Sequence, residues 1–501
     1  MNNKHLVVLG GGVSGLSAAW FAAKSGLSSH ITLLESSPHV GGWVQSQRNT
    51  DTHSHASALF EAGPRTLRPN GPQGAVTLDM VYRLGLEKDV IAVEKTSAAA
   101  KNRFISFNGA LNKMPTSLAE ALFPKKGHVF RGVIARGALE PFIAKSTLDD
   151  ESIHDFVARR FGTHVADNMI SALVHGIYAG DSRQLSVKSC FPFLWQAEKN
   201  DGSVVKSLLM SAFKNAPKEF SKDFSPKSLE FIKKIKSKSI YAFKDGLQTL
   251  TDAISDDLKT NHPNVSLLTN TNAIKLSKSQ NGVEVSTSCG KAISASHVIS
   301  TIPSFTLQHL LPEASTISPI LSKTPAVTVA VVNLAYKKPN ILPVTGFGYL
   351  VPRTQKSNVI GVIFDSEAVP GQDEVPMTRV TCMMGGHRFK EVFGEDGFSS
   401  EKCLEMARDA IKKDLGIDAV PSNHCVHLHR DCIPQYTVGH EARLKNLHHA
   451  LLSEFGGRLS VAGSSYLGVG VNDCVVSAKN VTAKLAESLD SPVTGLEKVV
   501  S

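Results

Sequence analysis

Three features of the sequence predict an α/β fold built on a parallel sheet. First, a short apolar run, His5 to Leu9, leads into Gly10, Gly12 and Gly15 in the spacing G-x-G-x-x-G, and small and apolar residues follow at helical spacing from Leu16 to Ser25. Second, another apolar run, Ile31-Thr32-Leu33-Leu34, ends at Glu35. Third, a glycine-rich turn from Gly463 to Gly470 lies at the far end of the chain, between the strand-like run Arg458 to Ala462 and a helical pattern from Asp473 to Leu489. Strand, glycine turn and helix in this order are the context that a dinucleotide-binding unit requires.

Each part of the first unit has a physical role. Gly10 permits the tight turn, Gly12 leaves room for a pyrophosphate, and Gly15 lets helix and strand pack closely. Gly11, Val13 and Ser14 complete the turn, whose phosphates would lie at the positive end of the following helix. Glu35 stands about 20 residues past the last glycine, where a ribose-binding acid belongs, and Ser36 follows it. NAD and FAD both carry an adenosine ribose, so this acid does not separate them. Pro38-His39-Val40-Gly41-Gly42-Trp43 then places a second glycine pair just after the acid. In this it resembles flavin enzymes of the amine-oxidase type, where such a pair lets the chain pass close to the flavin diphosphate. The expected cofactor is FAD, one per chain and non-covalent, and the expected class is oxidoreductase. The C-terminal helix would point its positive end at the flavin ring and stabilise negative charge there.

Composition narrows the class further. A chain of 501 residues is too long for one ordinary domain. A hydrophobic fraction of 42% and a charged fraction of 20% are globular values. The net charge of +9 has surface lysine as its plainest reading. No arginine-rich helix interleaved with aromatics accompanies it, which argues against nucleic acid as a partner. Seven cysteines, an odd and scattered set without C-x-x-C, fit free thiols in a reducing compartment. His424-Cys425-Val426-His427-Leu428-His429 looks like a metal cluster, but in a strand Cys425, His427 and His429 share one face without tetrahedral closure, so no metal is expected. No signal peptide or cleavable transit peptide is expected, so import into an organelle would use an internal or uncleaved signal. No apolar run reaches membrane-spanning length, which leaves a soluble or monotopic protein.

Along the chain, residues 1–95 hold the nucleotide half, and residues 95–102 look like a crossing linker. Residues 111–237 read as mostly helical, with bulky apolar groups beside cations, as in Phe123-Pro124-Lys125-Lys126 and Phe142-Ile143-Ala144-Lys145. That pattern suits a monotopic membrane surface, and it suits a helical core with solvated edges equally. A helix from Leu247 to Lys259 precedes strands Val265 to Leu268 and Val283 to Ser286, with Asn281-Gly282 as a hairpin turn signal. The run Ser296 to Pro303 returns to the nucleotide domain as a buried strand. Strand-rich runs between 304 and 455, such as Ala326 to Leu334 and Val380 to Met384, belong to a substrate domain.

Several segments together resemble the protoporphyrinogen oxidase family. They are Glu61-Ala62-Gly63-Pro64-Arg65-Thr66-Leu67-Arg68-Pro69, Asn102-Arg103-Phe104 with Gly109-Ala110-Leu111, Gly176-Ile177-Tyr178-Ala179-Gly180-Asp181, Ser189-Cys190-Phe191-Pro192, Gly346 to Pro352, Cys432 to His440 and Gly468 to Cys474. They occur in order over essentially the whole chain, and the oxygen-dependent mitochondrial branch is most similar. The resemblance implies a Rossmann-like FAD-binding domain of the amine-oxidase/p-hydroxybenzoate-hydroxylase type (1–95, 238–302 and 456–501). It also implies an α+β substrate-binding domain (96–110 and 303–455) and a helical membrane-binding domain (111–237).

The activity it implies is oxidation of protoporphyrinogen IX to protoporphyrin IX, with O2 as acceptor and H2O2 as product, in the penultimate step of haem synthesis. By the same resemblance the setting is the intermembrane-space face of the mitochondrial inner membrane, with a homodimer and ferrochelatase as partners. Flavin contacts carry over to Gly10 through Gly15, Glu35, Ser36, Trp43, Gly63, Pro64, Arg65, Thr66, Ala273, Ser464, Val469, Gly470 and Val471. Arg103 matches the arginine that pairs with a substrate propionate, which suits a guanidinium because its fork donates two parallel hydrogen bonds. The backbone near Gly176 would assist at the macrocycle nitrogens, and Phe347, Leu350, Val351 and Phe364 would line the apolar slot. His175 stands where some relatives carry arginine, which puts a second propionate contact in doubt. No general base is assigned, since the flavin carries the chemistry. Two other readings share the fold. One is an amine oxidase or desaturase, against which Ser464-Ser465-Tyr466 offers no cysteine for a covalent flavin and only one aromatic. The other is a non-enzymatic prenyl-protein carrier, against which stand the intact diphosphate turn and Glu35.

Overall fold

The computed structural model describes residues 4–50, 57–213, 224–394, 397–486 and 489–500. A five-stranded parallel sheet has the order Leu459–Val461, His297–Ser300, His5–Leu9, His30–Leu34, Val265–Leu268. Its strands come from both ends and the middle of the chain. Parallel strands are covered on both faces and so read as unbroken apolar runs. Leu6, Val7, Val8 and Leu9 are at most 1% exposed. The helix Val13–Lys24 begins earlier than the apolar spacing suggests, because Gly12 is already its extended N-cap. It packs against the C-terminal helix Val471–Leu485; residues 487–488 of the expected longer helix lie outside the described residues.

Two expectations need correction. Asn281-Gly282 does mark a hairpin, but the partner of Gly282–Thr287 is Ala273–Ser279, while Val265–Leu268 joins the parallel sheet instead. The strand Ala273–Ser279 hides in the sequence because it carries exposed lysines, Lys275 and Lys278, and buries only Leu276. The expected linker 95–102 contains a helical turn, Ala98–Lys101, capped by the Ser97 hydroxyl accepting from Ala100 N–H at 3.2 Å.

A second, seven-stranded sheet runs Asn423–Pro434, Ala326–Tyr336, Thr378–Gly385, Val359–Ile363, Gly348–Leu350, Arg103–Phe107, Ala110–Lys113. Its neighbours are antiparallel except Gly348–Leu350 with Arg103–Phe107, which is parallel. Cys425, His427 and His429 lie on its edge strand, where the two imidazoles stack at 5.9 Å between centroids and Cys425 Sγ lies 3.1 Å from His427 Nε2. Among the described residues no group of His, Cys, Asp and Glu is arranged to hold a metal ion, and the cysteines are free thiols.

Between these sheets in sequence lies a helical region that includes Ile153–Phe161, Ser171–Tyr178, Pro192–Asp201, Val204–Phe213 and Pro226–Lys236. Its interior is polar at one point. The Arg160 guanidinium bonds Glu140 and also Glu198 Oε1 at 2.5 Å, and all three side chains are 0% exposed. Glu140 further accepts Val204 N–H at 2.9 Å and Val205 N–H at 3.1 Å, satisfying the first turn of the helix Val204–Phe213. Among the described residues no helix is long and apolar enough to cross a membrane.

Two predictions follow from this framework. Arg160→Met leaves the buried Glu140 carboxylate without a counter-ion, while Glu198 keeps Arg159 at 2.8 Å, and is expected to destabilise the fold by about 3–5 kcal/mol, measured by denaturant unfolding. His297, wholly buried in the parallel sheet, bonds Ser460 Oγ at 2.7 Å, and burial pulls its imidazole down to about 3. The unfolded chain then binds a proton that the folded chain refuses, so stability falls as pH drops below about 6.5. His297→Gln should remove this residue's share of the dependence, roughly 2 kcal/mol of the stability lost between about pH 7 and 5, read as the shift of the urea midpoint.

Candidate functional site

The first glycine turn is shaped by contacts that only glycine permits. Gly10 has φ +96°, a left-handed conformation. A Cβ on Gly15 would stand 1.8 Å from the Gly10 carbonyl oxygen, so helix and turn meet backbone to backbone. The Gly41-Gly42 pair lies against this turn. Gly41 N–H donates to Gly11 O at 2.8 Å, and a Cβ on Gly42 would sit 3.1 Å from Gly12 Cα. Next to it, a Cβ on Gly63 would come within 2.2 Å of the Trp43 carbonyl oxygen. Trp43 is 41% exposed and meets the His429 ring edge-on at 5.0 Å.

A cavity of about 670 Å³ opens from the turn, lined among others by Gly10, Glu35, Ser36, Ala273, Phe305 and His309. The Glu35 carboxylate accepts Gly11 N–H at 2.6 Å and the Ser37 N–H and hydroxyl at 2.8 Å. It is thus oriented at the cavity beside the glycine turn. Phe305 and His309 were not foreseen. They follow Pro303, where apolar patterning gives no cue to a ligand.

The C-terminal loop closes on the same turn. A Cβ on Gly463 would meet Ser14 Oγ at 3.0 Å, and Asn472 Nδ2 donates to the Arg68 carbonyl at 2.9 Å. Gly470 is the N-cap of the helix Val471–Leu485, with Ser464 and Val469 in the loop before it. Asp473 Oδ2 accepts Gly470 N–H at 3.3 Å, and burial raises its carboxyl above the usual range. An acid within the first turn therefore shares this helix end with any ligand. The segment 63–68 lies between the two glycine loops. Its Arg65 side chain turns away to Asp365 at 2.6 Å, both groups buried, so at this residue only the backbone is left to face a cofactor. Glu61 nearby accepts Leu247 N–H at 2.8 Å and the Ser46 hydroxyl at 2.7 Å, and burial pushes its carboxyl up to about 7.

On the other side, Arg103 opens the strand paired with Gly348–Leu350. Its guanidinium lies 5.1 Å over the Phe347 ring. Burial and the neighbouring Arg68 lower its pKa. Neither arginine has a carboxylate partner among the described residues. Leu350 packs on Gly176, where a Cβ would stand 2.8 Å from Leu350 Cδ2. Leu173 and Ile177, beside Gly176 on the helix Ser171–Tyr178, remain 39% and 40% exposed. Two expected slot residues belong elsewhere. Val351 and Phe364 are 1% and 0% exposed and pack in the core of the seven-stranded sheet, because their side chains point to its helix-covered face. His175 is buried as well. Its Nδ1–H donates to the Val351 carbonyl at 2.7 Å, and burial pulls it down to about 4, so the ring is neutral at physiological pH.

The geometry fits a flavin dinucleotide. Three close backbone crossings and an oriented acid lie beside the N-terminus of the helix Val13–Lys24, and the C-terminal loop closes on the same turn. Residues 13–486 match the family of flavin-containing amine oxidoreductases. Curated relatives include the protoporphyrinogen oxidase of Homo sapiens, 37% identical over 96% of this chain and 98% of that one. That of Schizosaccharomyces pombe is 36% identical over 97% and 99%. Among solved structures, one from Exiguobacterium sp. superposes with a TM-score of 0.75 at 22% identity, covering 97% of this chain and 99% of that chain. Reduced UDP-galactopyranose mutase superposes at 0.69 with 13% identity, covering 100% of this chain and 98% of that chain, and at these identities the likeness is one of fold. The cofactor is FAD, and Gly10, Gly12, Gly15, Glu35 and the chain at 63–66 and 469–471 would hold it. Gly15→Ala should therefore yield protein without the yellow flavin band, read by absorbance after purification. By its glycine cradle and its full-length relatives, the chain belongs to the flavin-containing amine oxidoreductases and, within them, to the protoporphyrinogen oxidase family.

Proposed function

We propose that this chain oxidises protoporphyrinogen IX to protoporphyrin IX, with O2 as acceptor and H2O2 as product. The observation that carries the reading is Arg103. It is a half-buried cation on the Phe347 ring, beside Arg68, with no acid of its own among the described residues. Such a group calls for an external carboxylate, and a porphyrinogen brings propionates on an otherwise apolar macrocycle. The full-length relatives of Homo sapiens and Schizosaccharomyces pombe carry the matching name. Bound FAD supplies the hydride acceptor. The chain's own residues bind and orient. Arg103 grips a propionate with two parallel hydrogen bonds, while Phe347, Leu350, Leu173 and Ile177 offer apolar surface to the ring. His175 is neutral and spent on Val351, so Arg68 is the better placed second cation. The backbone at Gly176 stays open to the macrocycle nitrogens.

The same reading includes peripheral docking on the intermembrane-space face of the mitochondrial inner membrane, as a homodimer that hands product to ferrochelatase. Support for the membrane is chemical. Phe123 and Phe142 are 83% and 86% exposed, and Leu139, Leu208 and Leu209 are at least half exposed. Lys125, Lys126, Arg131 and Arg136 lie in the same helical region. Apolar side chains among cations suit an anionic lipid surface.

The test is an aerobic assay with protoporphyrinogen IX, following porphyrin fluorescence and peroxide together. Wild-type protein should produce both. Arg103→Ala should raise KM by about 10- to 100-fold, the loss of a charge-assisted pair. A yellow wild-type protein that forms no porphyrin would sink the substrate assignment.

A further inference from the structure

Between the seven-stranded sheet and the flavin loop runs the segment 434–440. Tyr436 within it is 1% exposed. Its hydroxyl accepts Gly468 N–H at 2.9 Å and donates to the Ser464 carbonyl. His440 stacks on the Tyr436 ring, 4.2 Å between centroids and 11° from parallel. His440 Nε2 lies 2.9 Å from the Tyr466 carbonyl, which can only accept, so Nε2 carries the proton. Two side chains of one segment therefore tie three alternate backbone positions of the loop, Ser464, Tyr466 and Gly468. That loop leads straight into the helix Val471–Leu485, whose N-terminus closes the FAD site.

The same segment also holds the opposite wall. Gln435 Nε2 donates to the Tyr178 carbonyl at 2.9 Å, at the end of the Gly176 helix. Gly180 leaves the room this needs, since a Cβ there would stand 2.1 Å from Gln435 Oε1. Ser186 N–H donates to the Tyr436 carbonyl at 2.8 Å. Adjacent residues thus bond in opposite directions, Tyr436 to the cofactor loop and Gln435 to the helix that carries Gly176.

We propose that residues 435–440 are a strut that sets the spacing between the flavin and the Gly176 helix, with Tyr436 and Gln435 as its two positioning residues. Neither side chain is placed to touch the substrate. Their effect is geometric, and small displacements of a bound reactant carry large rate costs. The cofactor half rests only on the FAD site, whereas the Gln435 half rests on the proposed porphyrinogen reading.

Tyr436→Phe keeps the ring and its stack and removes only the hydroxyl. The FAD dissociation constant of the holoenzyme should rise about tenfold, as expected for two lost hydrogen bonds, with a changed visible flavin band. Gln435→Leu should keep the wild-type FAD constant and flavin band. Its kcat on protoporphyrinogen IX should fall about tenfold with KM held, the signature of misplacement rather than lost binding. A folded Tyr436→Phe protein with wild-type FAD affinity and spectrum overturns the cofactor half. Unchanged kcat in Gln435→Leu overturns the substrate half. If Tyr436→Phe does not fold, hydrogen exchange of the Gly468 amide in wild-type holoenzyme decides: slow exchange supports the tie, and exchange at the rate of an open loop overturns it. Absence of wild-type turnover would fail the porphyrinogen reading alone, since the FAD constants are read without substrate.

Discussion

Around the cofactor the chain crosses itself at separations that no side chain can share. Gly15 lies on the Gly10 carbonyl, Gly42 on Gly12, and Gly63 on the Trp43 carbonyl, and a Cβ at any of these would come within 1.8, 3.1 and 2.2 Å of its neighbour. These contacts bring the backbone of three stretches of sequence to one place. A diphosphate is bound by such dipoles and helix ends more than by side-chain charge. The cradle is thus a steric consequence of glycine placement, and the chemistry of the site depends on it.

The second constraint is how the cradle is fixed to the seven-stranded sheet that carries Arg103. Here the structure uses polar contacts under cover. Arg65 bonds Asp365 at 2.6 Å, and the other oxygen of Asp365 accepts from Thr381 at 2.6 Å. Arg379 donates to the Leu59 carbonyl at 2.7 Å, and Gln372 to the Phe243 carbonyl at 2.9 Å. Burying such ions costs desolvation, which their attraction offsets only when the remaining hydrogen-bonding capacity is filled. In return the contact is directional. Apolar faces can slide by an ångström at little cost, whereas a short bond between a guanidinium and a carboxylate cannot. The separation of the glycine cradle and the seven-stranded sheet is therefore held by geometry. The Glu140–Arg160–Glu198 cluster does the same inside the helical region, where it pins the helix Val204–Phe213 and its exposed apolar side chains.

Side-chain duties at the site are divided in a way that sequence motifs blur. Arg65 and Arg103 both sit in segments shared with the family, yet one is a structural tie and the other is an open cation. His175 precedes Gly176 on its helix, but burial and its bond to Val351 leave it neutral. Tyr436 belongs to a motif with no evident chemistry and turns out to hold the flavin loop from beneath.

What the amino-acid sequence determined by itself was the local part. Short-range rules apply to Gly10, Gly12 and Gly15, to the apolar runs at His5 and Ile31 and to the acid at Glu35, because spacing along one strand–turn–helix unit dictates their geometry. The parallel sheet, the FAD cradle and the family were legible for that reason. Tertiary structure decided everything that depends on which distant element covers a residue. Phe364 and Val351 look like pocket residues in sequence and are core, since an apolar residue just past a strand end faces either helix or ligand according to the sheet's packing. The hairpin partner Ala273–Ser279 was hidden by its exposed lysines, Lys275 and Lys278. Arg68 gained meaning only beside Arg103, Asp365 only beside Arg65, and Tyr436 only beneath Gly468, because contacts between residues tens to hundreds of positions apart have no periodicity to read.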